Sequence, residues 1–181
     1  MIKFKFNKEK FISLIIYFAK NISGLDKLKA VKLIYFADRE CLLKTGRPIL
    51  GDEYIRMDMG PVPSKSFDLL REIQDSNSND NSLSVKDPLI KYPIFISSDD
   101  ADLEEFTRVE LDCIKSVIKQ YGKLSGNKLS QITHSHRVWI DSSRNRTIDY
   151  QLFFKDNPSE NRESFEAMML EQKDRDFIDN L

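Results

Sequence analysis

Gly60-Pro61-Val62-Pro63-Ser64 restricts its own backbone more than any other stretch of this chain. Pro61 and Pro63 fix φ, remove two N–H donors and hold the residue before each of them extended. Gly60 offers positive φ where the chain must turn. Ahead of it, Tyr54 to Met57 reads as a short strand, with Tyr54 and Arg56 on one side and Ile55 and Met57 on the other. Behind it, Ser64 suits the N-cap of a helix over about Lys65 to Gln74, whose Phe67, Leu70 and Ile73 share a face. A Gly-containing turn before a helix can cradle a phosphate, but the cradle needs consecutive N–H donors. Two of the four residues from Pro61 to Ser64 have none, and neither GxGxxG nor GxxxxGK[ST] occurs. The spacing predicts a rigid strand-to-helix elbow, not a nucleotide site.

A length of 181 residues allows one domain, or one domain with an extension, and a substantial core. With 40% apolar and 31% charged residues the balance is that of a soluble globular chain. No apolar run approaches the ~20 residues of a membrane span. The run Leu14 to Ala19 is too short for a signal-peptide core. Cys41 and Cys113 form no CxxC, which fits a reducing cytoplasm. The net charge of −1 conceals a division: residues 1–50 carry 11 Lys+Arg against 4 Asp+Glu, and residues 51–181 carry 17 against 25. A basic first quarter can attract nucleic acid. Without interleaved Arg and aromatic residues, its expected target is the acidic remainder of the same chain.

Further elements follow from caps and periodicity. Asn7 caps a helix from Lys8 to about Ile22, and Asp26 caps a second from Lys27 to about Thr45, closed by Gly46. Residues 74–84, rich in Asn, Ser and Asp, read as a loop. Tyr92 to Ser98 alternates as a strand, with Leu83 to Val85 pairing either with it or with Tyr54–Met57. Thr107 and Glu110 form a capping box for a helix to Tyr121. Ser125 caps a shorter helix to about Ser135, and Asp149 to Phe154 is a further helical piece. Asn157-Pro158-Ser159-Glu160 opens a last, largely charged helix. The expected fold is a mainly helical single α+β domain with a small antiparallel β-sheet, residues 1–155, followed by a C-terminal helical extension, 156–181.

On a helical wheel the second helix places Lys29, Lys32, Arg39, Glu40 and Lys44 in one polar arc. Asp38 falls in the opposite arc, among Val31, Ile34, Tyr35, Cys41 and Leu42. A carboxylate on an apolar face needs partners: a backbone N–H, Arg47 or Arg56 for a structural role, or a substrate or binding partner for a functional one. His134 and His136 lie two apart, so on a helix they diverge by about 200° and cannot share a metal ion. No GxSxG, HExxH or His/Cys cluster is present. No metal and no cofactor is expected. His134 and Trp139 are expected to close the core near a helix end.

Residues 31–70 resemble the signature block of the Panacea domain of SocA-like antitoxins. The matching pieces are Lys32-Leu33 with Tyr35-Phe36-Ala37-Asp38, then Thr45-Gly46-Arg47-Pro48-Ile49, Gly51-Asp52, Tyr54 and Gly60-Pro61-Val62-Pro63-Ser64. A weaker match follows in Leu124-Ser125, Leu129, His134 and Trp139, so that the resemblance spans roughly residues 8 to 155. Arg137-Val138 precedes Trp139 where the family usually has a proline. The resemblance implies a non-enzymatic bacterial or prophage antitoxin that neutralises a cognate toxin by direct protein–protein binding. Some relatives instead deliver a toxin to a protease, and some serve in anti-phage defence. An enzyme of another class, a hydrolase acting on nucleic acid or nucleotides through Asp38 and His134, is the alternative.

Two surfaces compete for the partner. One is the elbow, taken as an exposed rigid ledge: Tyr54, Arg56, Met59, Gly60, Pro61, Val62, Pro63 and Phe67. The other is the acidic material of residues 97–105 and the terminal helix, where residues 156–181 hold 8 acids against 3 bases and Phe165, Met168 and Met169 share a face. Such a face can meet a basic toxin surface or dock on the chain's own core.

Overall fold

The computed structural model describes residues 1–75, 83–86 and 93–179. The Asn/Ser-rich loop expected over 74–84 lies mostly outside these, at 76–82, as does Tyr92. Capping decides where the helices start. Asn7 accepts from Lys10 N to open α1 (Lys8–Asn21), and Asp26 accepts from Lys29 N to open α2 (Lys27–Thr45). Gly46 closes α2 at φ 80°. Two strands, β1 (Tyr54–Met57) and β2 (Gly60–Pro63), form an antiparallel hairpin that leads into α3 (Ser64–Asp75). A second hairpin pairs β3 (Leu83–Lys86) with β4 (Ile94–Ser97), which settles the partner of Leu83–Val85. The capping box at Thr107 and Glu110 opens α4 (Arg108–Tyr121), and Ser125 caps α5 (Gly126–Thr133). A single turn, α6 (Arg137–Ile140), a 3₁₀ segment (Tyr150–Lys155) capped by Asp149, and α7 (Arg162–Asp179) complete the chain. The fold is mainly helical α+β, with two small antiparallel sheets.

The centre is α2. It packs against α3, α4, α5, α7 and β2, and is buried nearly all round from Lys29 to Asp38. Burial therefore takes in the N-terminal half of the polar arc: Lys29 is 5% exposed and Lys32 0%. Lys29 reaches the carbonyl of Ser23 instead of water.

Two helix starts also differ from expectation. Ser64 is the first residue of α3, and the cap comes from Asp52, whose carboxylate accepts from Lys65 N, Ser66 N and Ser66 Oγ. The last helix begins at Arg162 because residues 157–161 form a turn, with Asn161 N donating to the carbonyl of Asn157. The charge division is answered in part within the chain. Lys10–Glu110, Lys20–Asp100, Arg39–Asp156 and Arg47–Glu171 each join the basic first quarter to the acidic remainder.

Candidate partner-binding site

Three polar side chains of α2, Lys32, Tyr35 and Asp38, point inward and are consumed there. Lys32 Nζ donates to the carbonyl of Pro61 at 2.7 Å, and burial pulls its ammonium pKa down to about 7. Tyr35 Oη lies 2.7 Å from His136 Nδ1. Burial, aided by the nearby Arg39, lowers His136 to about 4. The imidazole is thus neutral and the buried Tyr35 hydroxyl keeps its proton, so the two share one hydrogen bond whose direction follows the imidazole tautomer. Asp38 Oδ1 accepts from Leu50 N at 2.9 Å and Oδ2 from Tyr54 Oη at 3.0 Å. Burial lifts the Asp38 carboxyl to about 7, although both hydrogen bonds pull it back. The backbone N–H expected as an Asp38 partner is present. The two arginines are elsewhere, Arg47 on Glu171 and Arg56 on Trp139.

Lys32 through Pro61 and Asp38 through Tyr54 hold the β1–β2 hairpin from below, and α5 and α6 add more. Ser130 Oγ donates to the carbonyl of Met59 at 2.6 Å and Trp139 Nε1 to that of Met57 at 2.9 Å. Arg56 lies over the Trp139 ring at 4.3 Å, while His134 stacks on the same ring at 4.1 Å. The helical argument that separated the two histidines does not apply, since His134 and His136 sit between α5 and α6. They diverge all the same, His134 to Trp139 and His136 to Tyr35. Gly60 sits at φ +99°, and a Cβ there would collide with Thr133 Oγ1.

The corner is rigid, but it is not a ledge. Tyr54 is fully buried, Gly60, Pro61, Val62 and Pro63 are buried, and Arg56 and Phe67 are half-buried. What projects is the tip: Met57 is 43% exposed and Met59 46%, on either side of Asp58. Beside the tip runs a groove of about 300 Å³, lined by Leu28 and Val31 of α2, Met57, Met59 and Val62 of the hairpin, and Phe67 of α3. Lys27, Lys32, Asp58 and Asn145 complete its rim and floor. The fold thus gathers Met59, Val62, Phe67 and Lys32 from the sequence candidates. Met57 was missed, although strand alternation placed it on the side of β1 opposite Tyr54.

The other predicted surface is occupied by the chain itself. Met168 is fully buried, Phe165 packs on Phe154 with ring centroids 5.3 Å apart, and Met169 is half-buried against the core. A Cβ on Gly46 would meet the Ser164 carbonyl at 2.6 Å, so α7 lies directly on the end of α2. Pro48 is buried next to it. Among the described residues no group of three or more His, Cys, Asp or Glu could hold a metal ion.

The motif residues of α2 and the proline hairpin therefore form one hydrogen-bonded unit, and that block lies within a recognised family. The family model "Antitoxin SocA-like, Panacea domain" matches residues 31–140. The chain belongs to this Panacea-domain family. No curated protein and no solved structure shows significant similarity to it. The matched segment of the Panacea domain runs from α2 to α6. It includes the hairpin and its supports, and leaves α1, the 3₁₀ segment and α7 outside. Membership places the protein among antitoxins at the level of the family. No helix among the described residues is long and apolar enough to cross a membrane.

Proposed function

We propose that the protein is a non-enzymatic antitoxin that neutralises a cognate toxin by direct protein–protein binding, with the hairpin tip and its groove as the contact surface. One observation carries this reading. The polar motif residues are spent on holding the hairpin, whereas Met57 and Met59 at its tip stay half in solvent beside an apolar groove. A preformed apolar surface binds with little ordering cost, and methionines adapt to a partner's shape.

Asp38 is a poor candidate for the acid of a hydrolase. It is 1% exposed, and both of its oxygens accept hydrogen bonds from Leu50 and Tyr54. His134 is stacked on Trp139 instead. The toxin is expected to be encoded beside the antitoxin, in a bacterial or prophage genome, and to be met in the cytoplasm. Co-expression with each adjoining reading frame tests this. A product that is toxic alone, harmless with this protein and co-purified with it supports direct neutralisation. Rescue without a complex, accompanied by loss of the toxin, points to delivery to a protease.

A further inference from the structure

The groove beside the hairpin tip has a definite shape and a definite charge, and together they describe its occupant. Its walls come from three elements: the first turns of α2 supply Leu28 and Val31, the tip supplies Met57 and Met59, and α3 supplies Phe67. Because Lys32, Ser130 and Trp139 fix the hairpin backbone, the groove exists before anything binds. A volume of about 300 Å³ is at the small end for binding pockets, enough for a few apolar side chains of an inserted segment.

The charge is one-sided. Lys27 stands at the α2 rim with its ammonium 5.2 Å from the centre of the Phe67 ring. Among the described residues no carboxylate lies within 4.0 Å of it, and none lies that close to Lys32 beneath the hairpin. Lys32 has the Pro61 carbonyl as its partner. The groove's acid, Asp58 on the opposite rim, is already paired with Arg144. The α2 N-terminus is capped by the Asp26 carboxylate, which accepts from Lys29 N, so the cation left on this rim is Lys27. Among the described residues Lys27 has no ion-pair partner, so a segment that brings a carboxylate to this rim is favoured over a basic one.

We infer that the groove receives an apolar segment of the toxin that carries a carboxylate beside its anchoring side chains, the carboxylate meeting Lys27. This rests on the antitoxin reading and gives its contact surface a polarity. The polarity is the reverse of an acidic antitoxin helix covering a basic toxin site. The surface expected to do that, α7, turns its Met168 into the chain's own core.

The test uses the full-length protein and the product of its adjoining reading frame, purified as a complex, with dissociation constants measured at low and high salt. The variants are Met57→Ser/Met59→Ser, Lys27→Met and Lys27→Glu, all at partly exposed positions, each checked by thermal melting. The double methionine variant is expected to bind about a hundredfold more weakly. Lys27→Glu is expected to bind about tenfold more weakly than Lys27→Met, with the gap closing at high salt. If the wild-type complex forms and the methionine variant binds as tightly as wild type, the groove is not the contact. If Lys27→Glu binds as well as or better than Lys27→Met, the segment carries no carboxylate there. In the first case the hairpin contact falls with this inference and in the second this inference falls alone, while neutralisation by direct binding survives both. If no adjoining product forms a complex, both fall together.

Discussion

The two sides of the β1–β2 hairpin differ in almost every physical respect. Its underside is polar, buried and fully engaged. The ammonium of Lys32, the hydroxyl of Ser130 and the indole N–H of Trp139 each meet a backbone carbonyl of the hairpin. At its tip the side chains of Met57 and Met59 flank the Asp58–Arg144 pair and stay about half-exposed. The residues that make the sequence recognisable lie chiefly on the underside, because tight packing of polar groups restricts which residues fit.

The sharpest way to break the underside is Gly60→Val. The new side chain would collide with Thr133 at a backbone angle that β-branched residues resist. A loss of about 3 kcal/mol or more is expected in urea denaturation. A loss below about 1 kcal/mol would mean the hairpin can shift on its supports, and the groove would not be preformed.

Met168→Ala addresses the second, covered surface. It should cost about 2–3 kcal/mol, as deletion of a fully buried side chain does. A near-zero cost with impaired neutralisation would return α7 to the interface.

Lys32 and Asp38 give the underside a pH signature. Folding lowers Lys32 from 10.5 to about 7. Between those values the unfolded chain holds the extra proton, so its contribution to stability grows as pH rises and is lost as pH falls through about 7. Folding raises Asp38 from 3.8 to about 7, so its contribution is complete below 3.8 and is lost as pH rises through about 7. Lys32→Met should therefore remove part of the stability gain between about pH 7.5 and about pH 9.5, measured by urea denaturation. An unchanged gain would show that the ammonium is not buried as described.

Much of this fold was legible because caps and periodicity are local. Asn7, Asp26, Thr107 and Ser125 each stand where a helix begins. The hairpin was not. β2 consists of Gly, Pro, Val and Pro, and prolines argue against a paired strand unless it lies at an edge, as it does here. The fate of Lys32 was hidden for a different reason. A helical wheel groups it with Arg39 and Lys44, and only the Pro61 carbonyl, 29 residues on, explains its burial. The same holds for His136 and Asp52, whose partners Tyr35 and Ser66 are distant in sequence. Of the candidate site, the sequence marked Met59, Val62 and Phe67. It mistook rigidity for exposure at Gly60 to Pro63.

The smallest expected stability effect is the most informative. Met57→Ser/Met59→Ser should leave the melting temperature almost unchanged, within about 0.5 kcal/mol per exposed site. The central claim, that the underside holds the fold and the tip meets the partner, is tested by comparing this variant with Asp38→Asn. Melting temperature and toxin co-purification are measured side by side, below both melting points. The account predicts a crossed result: Asp38→Asn melts lower yet still binds, and the methionine variant melts normally yet does not bind. An Asp38→Asn protein that melts like wild type and fails to bind would contradict it.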